Sequence, residues 1–93
     1  MKREVKKAVT RIRRAQDAVF NNKVARCTSM SIHCNSLWSR TAGVVMNWWT
    51  VFAHVSEPEA EKSCKSWTFA DDNTAEEIEN VLTELSEYIG KTV

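Results

Sequence analysis

The chain has 93 residues, 43% of them hydrophobic, and a formal net charge of only +1, which suits one small domain with a modest core. No run approaches the ~20 apolar residues of a membrane span. The three cysteines do not have the spacing of a disulfide framework or of a zinc site, and the N-terminus lacks the apolar run of a secretory signal. We therefore expect a single cytoplasmic domain over residues 1–93, without a cofactor or a metal.

The charge is sorted along the sequence, although the total is close to zero. Nine of the thirteen Lys and Arg lie in residues 1–26, which carry +7. Ten of the twelve acids lie in residues 57–93, which carry −7. Such segregation favours contact with macromolecules over small-molecule chemistry.

Residues 2–22 predict an amphipathic helix, because apolar side chains recur there at steps of three and four. The asparagines at 21 and 22 are the expected exit, since Asn tolerates the left-handed conformation that ends helices. The predicted apolar stripe consists of Val5, Ala8, Val9, Ile12, Ala15, Val19 and Phe20.

The next fifty residues favour strands, because Thr, Ser, Val, Trp and Phe replace the helix formers. Strands are expected at about 25–34, 45–55 and 64–70. Residues 35–43 are expected to form a loop, and residues 56–62 a polar connection that contains the only proline.

A second helix follows, in which Thr74 and Glu77 have the spacing of a capping box and Gly90 is the expected end. Its apolar stripe consists of Ile78, Val81, Leu82, Leu85, Tyr88 and Ile89. The expected class is therefore α+β, with the order α-β-β-β-α and two helices packed on one face of a three-stranded antiparallel sheet.

A hairpin centred near residue 59 would bring together residues whose numbers sum to 118, such as Trp49 with Phe69 and Val51 with Trp67. Paired residues share a face, so the odd-numbered residues of these two strands form the side that the helices cover. Met30, Ile32 and Cys34 are expected to join that side from the first strand. The opposite, open face carries Ser29, Ser31, His33, Trp48, Thr50, Phe52, His54, Cys64, Ser66 and Thr68.

The order of helix, three strands and helix resembles the double-stranded-RNA-binding domain in topology. That family places lysines at the start of its second helix and basic residues in the connection between its first two strands. Here the second helix begins Asp71-Asp72-Asn73-Thr74, and residues 56–62, between the second and third strands, contain three glutamates; these acids would repel phosphates. The resemblance therefore implies a topology and carries over no functional residue.

The leading hypothesis is a non-enzymatic protein-interaction module that blocks or scaffolds a larger macromolecular partner. An acidic surface could mimic a phosphate backbone, as small inhibitors encoded by phages do, so an inhibitor of a bacterial defence or nucleic-acid-handling complex is one form of it. Open-face contacts would come from Trp48, Phe52 and His54, which could also meet a second copy in a homodimer. The acidic contacts would come from Glu57, Glu59, Glu61, Asp71, Asp72, Glu76, Glu77 and Glu79.

The alternative hypothesis is a nucleic-acid-binding accessory protein, with the first helix on phosphates and Trp48 and Phe52 stacking on bases. Its candidate phosphate contacts are Lys6, Lys7, Arg11, Arg13 and Arg14. An enzyme is the least supported class. His54 would face Cys64, but no acid that orients the histidine and no oxyanion donor can be assigned.

Overall fold

In a computed structural model, which describes residues 3–56 and 63–93, the chain folds in the order α-β-β-β-α. The elements are α1 (Arg3–Phe20), β1 (Cys27–Ser39), β2 (Val44–Val55), β3 (Cys64–Ala70) and α2 (Ala75–Ile89). The α+β class and the element order predicted from the sequence are confirmed. The expected connection at residues 56–62 lies almost entirely outside the described residues.

Both helices end where their sequences predict. Asn22 adopts a left-handed conformation with φ 57° just after α1, and Gly90 does the same with φ 72° after α2. The capping box of α2 is complete, because the Thr74 hydroxyl accepts from the Glu77 N–H and the Glu77 carboxylate accepts from the Thr74 N–H. Local sequence signals therefore set the ends of both helices.

The sheet is antiparallel in the order β1-β2-β3, with β2 in the centre. Trp49 pairs with Phe69, Val51 with Trp67, and Ala53 with Lys65, as the pattern predicts. The register places the odd-numbered residues of β2 and β3 on one face, together with the even-numbered residues of β1 from Met30 onward. A register shift between Cys27 and Ser29 puts Cys27 opposite Val55.

One core lies between that face and the two helices. The α1 stripe packs with the apolar side chains of α2 and with the covered face of the sheet. Phe69 is 1% exposed and stacks on Trp49 with ring centroids 5.8 Å apart. These two rings stabilise the centre of the core, because buried aromatic side chains remove the most apolar area from water.

The predicted loop at residues 35–43 is wrong for its first half. Residues 35–39 continue β1, and the turn occupies only residues 40–43. The Gly43 N–H donates to the Ser39 carbonyl, and Gly43 has φ 67°, which suits a tight turn. The first strand therefore has 13 residues and pairs with β2 along its whole length.

This longer pairing makes the β1–β2 hairpin project past the rest of the sheet. The last residue of β3, Ala70, pairs with Trp48, so within residues 3–56 and 63–93 no third strand accompanies residues 36–47, which we call the hairpin arm. Asn47 holds the base of the arm, since its carbonyl accepts from the Asp71 N–H and its side chain donates to the Asp71 carboxylate. The arm makes the molecule elongated, with extents of 47 × 23 × 22 Å.

Two single residues also differ from the expectation. Phe20 was placed in the apolar stripe of α1, but it is 85% exposed, because it lies at the flank of the helix beside the outer edge of β1. Cys34 lies on the expected face opposite Trp49, yet it is exposed. The core therefore ends before the arm begins.

Candidate interaction surfaces

Two carboxylates of the predicted acidic surface form hydrogen bonds that stabilise the fold. Asp71 holds the arm base, and Glu77 belongs to the capping box, where the hydrogen bond from the Thr74 N–H lowers the pKa of its carboxyl. Asp72 and Glu76 are exposed. The remaining predicted contacts Glu57, Glu59 and Glu61 lie outside the described residues.

The acidic and basic helices lie side by side and are joined by Arg11. Its guanidinium donates to both carboxylate oxygens of Glu79, at 3.0 and 3.4 Å, and also to the Val93 carbonyl, at 2.6 Å from Nη2. Arg11 and Glu79 therefore contact each other across the two helices. Because this pair is exposed, it contributes about 1 kcal/mol or less.

The other predicted basic residues remain on the surface of α1. Lys6, Lys7, Arg13 and Arg14 are exposed. An open groove of about 460 Å³ runs along this side of the helix, lined by Arg3, Lys6, Lys7, Thr10, Arg11 and Arg14. The groove is cationic, but it adjoins the acidic helix, whose charge opposes the approach of a phosphate backbone.

Neither described helix covers the open face of the sheet, as predicted. Trp48 is half-buried, and Phe52 is 37% exposed and meets the His33 ring edge-on at 5.8 Å. This face lies on the other side of the sheet from both helices. Sheets and the layers packed on them are separated by about 10 Å, so one nucleic-acid strand could not lie on α1 and stack on these rings without passing around a sheet edge.

His54 and Cys64 meet on this open face, with His54 Nε2 and Cys64 Sγ 3.4 Å apart. In the part of the chain that the structure describes, no carboxylate hydrogen-bonds to His54, so the pair lacks the third group that orients a catalytic histidine. The buried thiol is a different one, Cys27, whose pKa is raised by desolvation.

The hairpin arm is the surface that the sequence analysis missed. Six large hydrophobic side chains are exposed among those that the structure describes, and four of them lie on the arm. Trp38 and Val45 pair on the face continuous with the core, and Leu37 and Met46 pair on the open face. Their exposed fractions are 53% for Leu37, 65% for Trp38, 63% for Val45 and 44% for Met46.

A signal for the arm was present in the sequence. Residues 35–39 and 44–47 contain no Lys, Arg, Asp or Glu and carry Leu, Trp, Val and Met, which suit a strand. The asparagines, serines and glycine interspersed among them favoured a loop instead. Pairing with β2 outweighed those local preferences.

No family model, no curated protein and no solved structure matches this chain. Neither of the two described helices is long and apolar enough to cross a membrane. Within residues 3–56 and 63–93, no group of three His, Cys, Asp or Glu side chains is arranged to hold a metal ion. The function of this chain therefore has to be inferred from its surfaces.

Proposed function

We propose that this chain is a non-enzymatic protein-interaction module that binds a larger partner through its hairpin arm and the adjoining open sheet face. The observation that supports this proposal is the group of four exposed apolar side chains on the arm, on both of its faces. Apolar patches that stay exposed in a small domain mark contact sites more often than chance.

The energies indicate that both surfaces are needed. Burying one Val, Leu or Met side chain fully contributes about 1.5–3 kcal/mol, so covering four that are half to two-thirds exposed would contribute about 4–6 kcal/mol. Association itself costs on the order of 4–15 kcal/mol. The arm alone would bind weakly, and Trp48 and Phe52 beside it are the natural extension of the contact.

The partner in this proposal is a protein, because the open face carries no lysine or arginine to meet phosphates and the arm carries a single one, Arg40 in its turn. A blocking role, such as inhibition of a bacterial defence or nucleic-acid-handling complex, is the finer form of the same proposal. Pairing of two arms in a homodimer would use the same side chains.

The experiment is affinity capture from a lysate of the organism that encodes the chain, followed by reconstitution with the purified partner. Leu37→Ser with Trp38→Ser should abolish binding while the far-UV spectrum and melting temperature stay unchanged. A matched pair on α1, Lys7→Ser with Arg14→Ser, should leave binding intact. Full retention of binding in the arm variant would contradict the proposal.

A second candidate function is nucleic-acid binding by α1, which the cationic groove of Arg3, Lys6, Lys7 and Arg14 favours. It predicts binding to labelled DNA or RNA that falls steeply with salt and is lost in the Lys7 and Arg14 double variant. Binding at near-physiological salt that survives the arm substitutions would favour this second function over the first.

A further inference from the structure

Among the described residues, no strand pairs with the outer edge of β3. At one end of the β2–β3 ladder the Val55 N–H donates to the Ser63 carbonyl, and at the other end the Asp71 N–H donates to the Asn47 carbonyl. The backbone N–H and C=O groups of residues two apart in a strand point the same way, so those of the odd-numbered residues of β3 point toward β2. Ser66 and Thr68 therefore point their backbone groups outward, as Ala70 does towards the Asn73 side chain.

A groove runs between this edge and α2. It has a volume of about 410 Å³ and is lined by Lys65 and Trp67 from β3 and by Glu84, Glu87 and Tyr88 from α2. A second hollow of about 390 Å³ shares Lys65, Trp67 and Glu84 and extends to Cys64 and Ser66. Helix-lined grooves beside a free strand edge are where extended peptides add to sheets.

The side chains of the groove favour a cation. Trp67 and Tyr88 are half-buried, with ring centroids 5.5 Å apart at 64°. The Lys65 ammonium already lies 5.4 Å from the centre of the Tyr88 ring, which shows that the ring accepts a cation. Glu84 and Glu87 are exposed at the rim, and no described lysine or arginine forms an ion pair with either.

We propose that an extended segment of a partner protein adds to β3 as a fourth strand and places a lysine or arginine in this groove. The main chain of the segment would bond to Ser66 and Thr68. Its cationic side chain would lie over Trp67 and Tyr88, with Glu84 and Glu87 beside it. The proposal rests on the proposed function, since it assigns the chemistry of the partner at a second edge, away from the arm.

The probe is a pair of synthetic ten-residue peptides, one with lysine alternating with threonine and one with glutamate alternating with threonine. Titrated into isotope-labelled protein, the lysine peptide should shift the amide signals of Ser66 and Thr68 and the indole signal of Trp67 in a saturable way. The same two amides should gain protection from hydrogen exchange. Equal shifts from both peptides, or shifts confined to other residues, would overturn the proposal.

Two double variants then test whether the position of the negative charge matters for binding. Glu84→Gln with Glu87→Gln should weaken binding of the lysine peptide roughly three- to tenfold, as expected for two exposed ion pairs. Asp72→Asn with Glu76→Gln removes the same charge from the start of α2, outside the groove, and should change binding less than about twofold. If both double variants weakened binding of the lysine peptide equally, the effect would depend on net charge alone, which would contradict a site at Glu84 and Glu87.

Lys65→Ala provides the decisive variant, because it removes the ammonium that competes for the Tyr88 ring. Binding of the lysine peptide should become about twofold stronger or more, and weaker binding would contradict the proposal. The serine substitutions at Leu37 and Trp38 should leave it unchanged. Loss of partner capture in that arm variant, without any lysine-peptide binding at β3, would refute this inference and leave the proposed function standing.

Discussion

The same substitution at two tryptophans tests whether the arm lies outside the core. Trp49 and Trp38 lie on the same side of the β1–β2 hairpin, but Trp49 is 4% exposed and Trp38 is 65% exposed. Trp49 also stacks on Phe69, with an angle of 13° between the rings. Replacing each by alanine removes an equal volume from very different surroundings.

The expected costs differ several-fold. Trp49→Ala should lower the free energy of unfolding by about 3–5 kcal/mol, because it leaves a cavity between the sheet and the helices. Trp38→Ala should change it by no more than about 0.5 kcal/mol, as for most surface substitutions. A domain of this size has only about 5–15 kcal/mol in total, so the first variant will be close to unfolding.

Urea denaturation followed by circular dichroism measures both values. With a slope of about 1–2 kcal/mol per molar urea for so small a domain, Trp49→Ala should lower the midpoint by about 2–4 M. Trp49→Phe keeps a ring on Phe69 and provides a folded variant if the alanine form does not fold. Equal losses at positions 49 and 38 would refute the placement of the arm beyond the core.

Three further outcomes follow from the helix ends and the thiols. Thr74→Ala should lower the free energy of unfolding by about 1 kcal/mol and the melting temperature by about 4–8 °C, because the α2 cap loses its acceptor; an unchanged melting temperature would contradict this. The folded chain lowers the pKa of Glu77, so the stability from this carboxylate is present above the unfolded pKa and is lost as pH falls through the folded pKa. The stability difference between wild type and Glu77→Gln should therefore close in acid, as melts from pH 7 to pH 2 would show. With a disulfide reagent, exposed Cys34 should react at once, while Cys27, buried and with a raised pKa, should react only on unfolding; equal rates would contradict the burial of Cys27.

Much of the fold could be predicted because its signals are local or periodic. The apolar stripes, the Thr74 and Glu77 cap and Gly90 each depend on neighbours within one or two turns of a helix. The β2–β3 register followed from parity, since a slip of β3 by one residue would have moved Trp67 and Phe69 to the face opposite Trp49 and Val51.

The arm could not be predicted in the same way, because its strand character comes from pairing and not from burial. Leu37 and Trp38 are adjacent, so one points to each face, and no described element covers either face of the arm. The alternation of apolar and polar residues that identifies a half-buried strand is therefore missing from the arm. The Arg11–Glu79 pair could not be predicted either, because composition shows charges but not which sides of the two helices meet.

Site-specific photo-crosslinking tests the central claim most directly. A photoreactive phenylalanine analogue is placed at position 38 on the arm and, as the matched control, at position 13 on the basic helix, in cells that produce the chain. Our account predicts one discrete protein adduct from position 38 and none from position 13. Adducts to nucleic acid from position 13, with no protein adduct from position 38, would contradict it.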